Sequence, residues 1–343
     1  MNKMSEIEES VRTIVLAILV LLFMSCGSKP NTSSAHRGVY HWKTTYNPSD
    51  WEKKWMKDHK IDRLYVRLFD VEAGIKANEP DWKMVPIATT KFVQQLPKDI
   101  EVVPVVYITV DAIRAIGDQY WSRDNERRYA KLILKRIDDM MADQYEGNIK
   151  EIQLDCDWTE STEFTFFCLA LEMKKMLHER GMTLSGTLRL HQLREVEMPI
   201  KKESYYRDAD SIPFDRSLLM VYNTGNLHDR NTRNSILDIS DVMPYLRTYH
   251  ADSLPRTDVA YPVYGWGVEY DKDGSFKKLI NSNDMPAQSN DSVRIEWGEP
   301  DEIRQVQNSL PVLDKQRTTI LYHLDSLNLS RYSYEDIEAF YSR

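Results

Sequence analysis

From Gly38 onward, short runs rich in β-branched and aromatic residues alternate eight times with polar or helical stretches, and this alternation leaves few folds open. The runs cover residues 38–42, 63–69, 102–109, 150–157, 183–189, 218–223, 258–264 and 318–325. Between them apolar residues recur at intervals of three and four, most clearly over 125–145 and 162–180 and more briefly over 48–58, 86–96, 239–249 and 301–310. Strand–helix alternation predicts a parallel sheet covered by helices, and eight repeats predict that the sheet closes on itself. The expectation is an α/β chain with a single (β/α)8 TIM barrel over residues 37–343, a length that suits this architecture. A content of 42% hydrophobic and 29% charged residues excludes a disordered chain. Two segments interrupt the pattern. Residues 194–213, with Pro199 and Pro213, read as a long loop after the fifth strand, and 265–297, rich in Asn, Asp, Ser and Gly, as an irregular insertion after the seventh. Insertions at the carboxyl ends of barrel strands wall the active face, so the second is expected to border a cleft.

The amino terminus carries a different signal. Residues 14–24 form an uncharged apolar run of 11 residues, too short for the ~20 needed to cross a bilayer as a helix. Lys3 and Arg12 precede it, as in a secretory leader. It ends in Phe23, Met24, Ser25, Cys26 and Gly27, which resembles a lipobox of the loose kind found in Bacteroidetes lipoproteins. That resemblance implies cleavage after residue 25, lipidation of Cys26, and a tether over 26–36 of small polar residues that have little to bury. The expected location is the cell envelope, lipid-anchored to the outer membrane on its periplasmic face. Cys156 and Cys168 remain; their expected separation favours two buried thiols over a bridge.

The fourth strand holds the most informative residues. On alternation Ile152, Leu154 and Cys156 face the helices, while Gln153, Asp155 and Asp157 point inward. Two inward carboxyls ~6–7 Å apart by strand rise are costly unless bonded, and close enough to perturb one another's ionisation. A buried polar network is one reading and a reactive site the other.

Here the sequence resembles a known family. Leu154-Asp155-Cys156-Asp157-Trp158 is similar to the fourth-strand signature D-x-x-D-x-D-x-E of the chitinase-like glycoside hydrolases of family 18. Met220-Val221-Tyr222-Asn223 is similar to its sixth-strand M-x-Y-D, and Leu321-Tyr322-His323-Leu324-Asp325 to its last strand, where an aromatic floors the sugar subsite. The resemblance implies that Asp157 orients the substrate's acetamide and that the Tyr222 hydroxyl supports it. It also exposes departures: Thr159 stands where the family has its acid Glu, Ile152 where it has its first Asp, and Asn223 where it has the sixth-strand Asp. Loss of proton delivery predicts hydrolysis by the family route lowered by about 10²–10⁴-fold. Glu160 replaces that acid only if a bulge re-aims it.

The catalytic candidates are therefore Asp155, Asp157, Tyr222 and Glu160. Candidate substrate contacts at strand ends are the rings of Trp42, Tyr107, Trp158, Trp266 and Tyr322, and the polar groups of Arg67, Arg189, His191, Asn223 and Asp325. The arginines either neutralise the inward acids or grip a sugar hydroxyl or carboxylate. Asp70, Glu72 and Glu269 are further carboxylates near strand ends. A net charge of −8 without a long Lys/Arg run argues against nucleic acid as a partner. No Gly-rich phosphate loop, nucleophile elbow or close metal-ligand spacing occurs, so no cofactor or metal is expected. The leading expectation is an envelope lipoprotein that binds or processes a glycan through Asp155 and Asp157, with the enzymatic question open. The alternative is a non-catalytic assembly lipoprotein whose barrel mouth contacts a protein partner.

Overall fold

Each β-rich run becomes one stave of a barrel. The computed structural model describes residues 35–74, 84–117, 124–193, 212–247, 257–310 and 318–342. The expected leader, Cys26, the tether up to residue 34 and residues 194–211 of the first inserted loop lie outside the described residues. The staves are β1 (His36–His41), β2 (Arg63–Ala73), β3 (Glu101–Ile108), β4 (Glu151–Asp155), β5 (Thr183–Arg189), β6 (Arg216–Met220), β7 (Thr257–Pro262) and β8 (Thr318–Tyr322). Neighbours pair in parallel around the ring, and β1 bonds both β8 and β2, which closes it.

The helices described are α1 (Asp50–Asp58), α2 (Val110–Gly117), α3 (Asp124–Met141), α4 (Glu163–His178), α5 (Ile239–Leu246), α6 (Pro300–Ser309), α7 (Ser326–Leu329) and α8 (Tyr334–Tyr341). Ser49 and Glu52 start α1 with a reciprocal capping box. Strand alternation sorts the side chains into two cores. Ile152, Leu154 and Cys156 pack outward with Phe166, Phe167 and Leu169 of α4. Tyr40, Tyr65, Val103, Leu218, Met220 and Ile320 fill the interior. Cys156, just beyond β4, and Cys168, on α4, are both buried thiols.

Two expectations are corrected. Residues 86–96 do not form a helix. Met84–Ile87 is a strand antiparallel to the carboxyl end of β2, and Lys91–Phe92 pairs with Thr45–Tyr46. Pro86 and the β-branched Val85, Ile87, Thr89 and Thr90 outweigh the apolar spacing, and Ala88 adopts a left-handed backbone (φ 45°) that ends the strand. Nor is 265–297 irregular: Gly265–Tyr270 is the centre of a three-stranded antiparallel sheet, flanked by Phe276–Asn281 and Val293–Trp297. Gly274, at φ 85°, makes the turn between the first two strands.

Charged side chains plug the amino-terminal end of the barrel. Arg63 reaches Glu101 and Glu151, each at 3.2 Å, and Arg216 forks onto Asp258, with its closest contact at 2.7 Å. Asp258 also accepts the Thr318 backbone N–H at 2.6 Å, tying β7 to β8. This end is paired and packed. The opposite end is open.

Candidate functional site

At the carboxyl ends of the strands lies a cavity of about 470 Å³. Its floor is aromatic because inward positions near the tops of β1, β6 and β8 carry rings. Tyr322 lies at the centre, stacked on Tyr222 (centroids 5.2 Å apart, planes at 30°) and edge-on to Tyr40 and Tyr264 (both 5.6 Å). Trp42 tilts against Tyr322 at 5.6 Å. Trp266, Leu279, Asn281 and Ser282 of the inserted sheet complete one wall, so the insertion borders the cleft.

The fourth strand points its inward residues up the barrel in order. Gln153, deepest, accepts the Tyr40 hydroxyl. Asp155, 2% exposed, accepts Thr187 Oγ1 at 2.5 Å and lines the cavity from below. Asp157, just past the strand end, stands at the mouth and accepts Nε and Nη2 of Arg189, the last residue of β5. Burial pushes the Asp155 carboxyl up to about 6; the Arg189 guanidinium opposes this, while the Asp157 charge adds to it. Burial first, and then the charges of Asp157 and Asp155, raise the Tyr107 hydroxyl to about 12.

Opposite this pair stands a second fork. In β2 the register to β3 slips between Arg67 and Phe69, leaving Leu68 as an extra residue. A bulge shifts the alternation by one, so Asp70, which regular pleating would turn outward, joins Arg67 on the inner face. Arg67 Nε donates to Asp70 Oδ1 at 2.7 Å and Nη2 to Oδ2, and the guanidinium lies 5.7 Å from the Trp42 ring centroid. Thr90 fixes the bulge, its N–H bonding the Leu68 carbonyl at 2.7 Å and its hydroxyl the Arg67 carbonyl at 2.7 Å. The Arg189 guanidinium sits likewise above Tyr222, 5.6 Å from the centroid.

Of the residues singled out in the sequence, the cavity gathers Asp155, Asp157 and Tyr222 with Trp42, Arg67, Tyr107, Arg189, Asn223, Trp266 and Tyr322. Asn223 turns out of β6 with φ 56°, a left-handed conformation that Asn tolerates well, and its Oδ1 accepts the Tyr264 hydroxyl at 2.5 Å. Four candidates stand elsewhere. Trp158 is fully buried in the outer core against Phe167, on the face of Ile152, Leu154 and Cys156, where alternation continued past Asp155 turns it. Glu160 is exposed in the turn before α4, beside an equally exposed Thr159 whose hydroxyl contacts Ser161 and Thr162, and neither lines the cavity. His191 is exposed and borders a smaller adjoining lobe with Asp157, Arg189 and Thr224. Asp325 caps α7 and pairs with Lys43 at 2.8 Å. Of the other strand-end acids, Glu72 is exposed and Glu269 pairs with Lys277 at 2.6 Å. Sequence reasoning missed Tyr264 and Asn328 in the lining, which also includes His323 of the last-strand motif. The first lay on a recognised strand. Asn328 gave no signal, because α7 was hidden in a polar stretch.

A closed eight-stranded parallel barrel with its cavity at the carboxyl ends defines an α/β barrel of the TIM type. No family model matches the sequence, and no curated protein matches it. Solved structures of similar fold include the GH18 chitinase ChiB from the chitin utilization locus of Flavobacterium johnsoniae, at 13% identity and a TM-score of 0.54 over 90% of this chain and 94% of that one. The class V chitinase from Nicotiana tobaccum aligns at 10% identity and a TM-score of 0.56, covering 90% and 99%; a mutant of it is in complex with NAG4. The Bacillus megaterium spore cortex-lytic enzyme SleL aligns at 12% identity and 0.51, covering 92% and 75%. At these identities the shared property is the fold.

Proposed function

We propose that this chain is a lipid-anchored protein of the cell envelope, held by Cys26, whose barrel mouth binds an oligosaccharide and presents Asp155 and Asp157 to it. The observation that carries the reading is the convergence, in one open cavity, of an aromatic floor and two carboxyls rising from the same strand. A pyranose needs both: a ring face to cover its C–H face, and acceptors for its hydroxyls. The NAG4 complex of the tobacco enzyme supports a glycan as the ligand class. A closed or shallow mouth would favour a protein partner instead; a cavity of about 470 Å³ favours a small ligand.

Thr159 stands outside the cavity, so Asp157 is the outermost inward acid of this strand and Asp155 the inner one. Asp155 is close enough to Tyr222 for its charge to act on that hydroxyl, which has no partner among the described residues. Asp157 is bonded on both oxygens by Arg189, so a ligand reaches it beside that guanidinium. A glycan array with the purified chain tests the reading. Binding that is lost in both Asp155→Ala and Asp157→Ala is the expected result; no binding to any glycan, or binding indifferent to both substitutions, refutes it.

A further inference from the structure

The hydrogen-bonding capacity left open in the cavity is lopsided. Asp70 and Asp157 have both oxygens engaged, by Arg67 and Arg189 respectively, and Asp155 has one engaged by Thr187. Donors remain as well. Among the described residues Arg67 donates through Nε and Nη2, which leaves Nη1, and Asn223 engages its side-chain oxygen with Tyr264, which leaves its amide N–H groups; Arg189 Nη1 and the Tyr222 hydroxyl also lack a partner there but are sealed from solvent. A neutral sugar hydroxyl brings a donor with every acceptor. A carboxylate brings acceptors alone, and binds a guanidinium more strongly.

Both forks line the same cavity, around the Tyr322 ring. Arg67 is held in advance by Asp70 and by its seat over Trp42, so little side-chain freedom remains to be lost on binding. We propose that this cavity selects a glycan bearing a carboxylate, and that Arg67 is the residue that receives it. The inference rests on the glycan reading above and narrows its substrate class.

Asp155 gives the proposal a second signature. It faces Asp157, Arg189, Asp70, Thr187 and the hydroxyls of Tyr40, Tyr107, Tyr222 and Tyr322. Its carboxyl, held at about 6, takes up a proton more readily once another anion enters the cavity. Affinity for an acidic glycan therefore rises as pH falls from 7.5 to 5.5, while a neutral glycan shows little change.

Calorimetric titration of the full chain in detergent tests this with two tetrasaccharides, one of N-acetylglucosamine alone and one alternating N-acetylglucosamine with glucuronate. At pH 6 the acidic tetramer is expected to bind about tenfold tighter, the scale of one charge-assisted hydrogen bond. Arg67→Gln should bring the ratio close to one. Asp70→Asn, which frees Arg67 from its competitor and keeps the guanidinium, should raise it, so the proposal stays testable if Arg67→Gln fails to fold. Equal or weaker binding of the acidic tetramer, or a lower ratio in Asp70→Asn, overturns the proposal and leaves the glycan reading standing. Binding of neither tetramer overturns this proposal, and the array then decides the broader reading.

Discussion

Asp155→Asn should make the protein more stable, by an amount that depends on pH in a defined way. The buried carboxyl is held at about 6 in the folded protein, against an ordinary value of 3.8. The folded state therefore binds this proton more tightly than the unfolded chain does, and stability falls as pH rises from about 4 to about 6. At 1.36 kcal/mol per tenfold change, the ionised carboxyl costs the folded state about 3 kcal/mol above pH 6. Asparagine keeps an acceptor for Thr187 and carries no charge, so it removes the cost. Urea unfolding followed by tryptophan fluorescence at a series of pH values measures the difference. The variant should match the wild type near pH 3.5, gain through pH 4–6, and stay about 3 kcal/mol ahead at pH 7.5. A gain that does not vary with pH, or a loss at pH 7.5, would refute the claim that desolvation governs this group. Retaining a carboxyl at such a cost is what a site kept for ligand chemistry does.

Tyr322→Ala removes the ring at the centre of the floor and should weaken oligosaccharide binding by about tenfold or more in the same calorimetry. Gly298→Ala places a Cβ 2.1 Å from the Pro262 carbonyl oxygen, where the inserted sheet rejoins the barrel; a backbone atom cannot swing aside, so the urea midpoint should drop by the equivalent of about 1–3 kcal/mol. Cys26→Ala should move the protein from the detergent-soluble membrane fraction to the aqueous phase and abolish incorporation of labelled fatty acid; membrane retention of the variant would contradict the anchor.

The fold was legible because its signals are local. Periodicity marked all eight staves, and 183–189 coincides with β5 end to end. The failures were of two kinds. Over 86–96 the apolar spacing favoured a helix, but partners beyond that window, the free edge of β2 and the Leu68 bulge, recruited it as strand. The 265–297 insertion carried turn-forming residues that hid three strands between them. Site residues followed the same division. Asp155 and Asp157 could be read from alternation along one strand, and so could Arg189 and Tyr222. Asp70 could not be placed: it enters the cavity only because one extra residue shifts the pleat, which no spacing along the chain reveals. Trp158 was misplaced against that same alternation, which turns it outward with Ile152, Leu154 and Cys156.

The central claim is that a sugar chain lies across Tyr322 with polar groups within reach of Asp155 and Asp157. A crystal grown with the oligosaccharide selected on the array tests it in one measurement. The account predicts a pyranose parallel to the Tyr322 ring, with substituents hydrogen-bonded to both carboxyls or to the guanidinium that covers the outer one. A sugar bound elsewhere on the barrel, with these acids untouched, would contradict it.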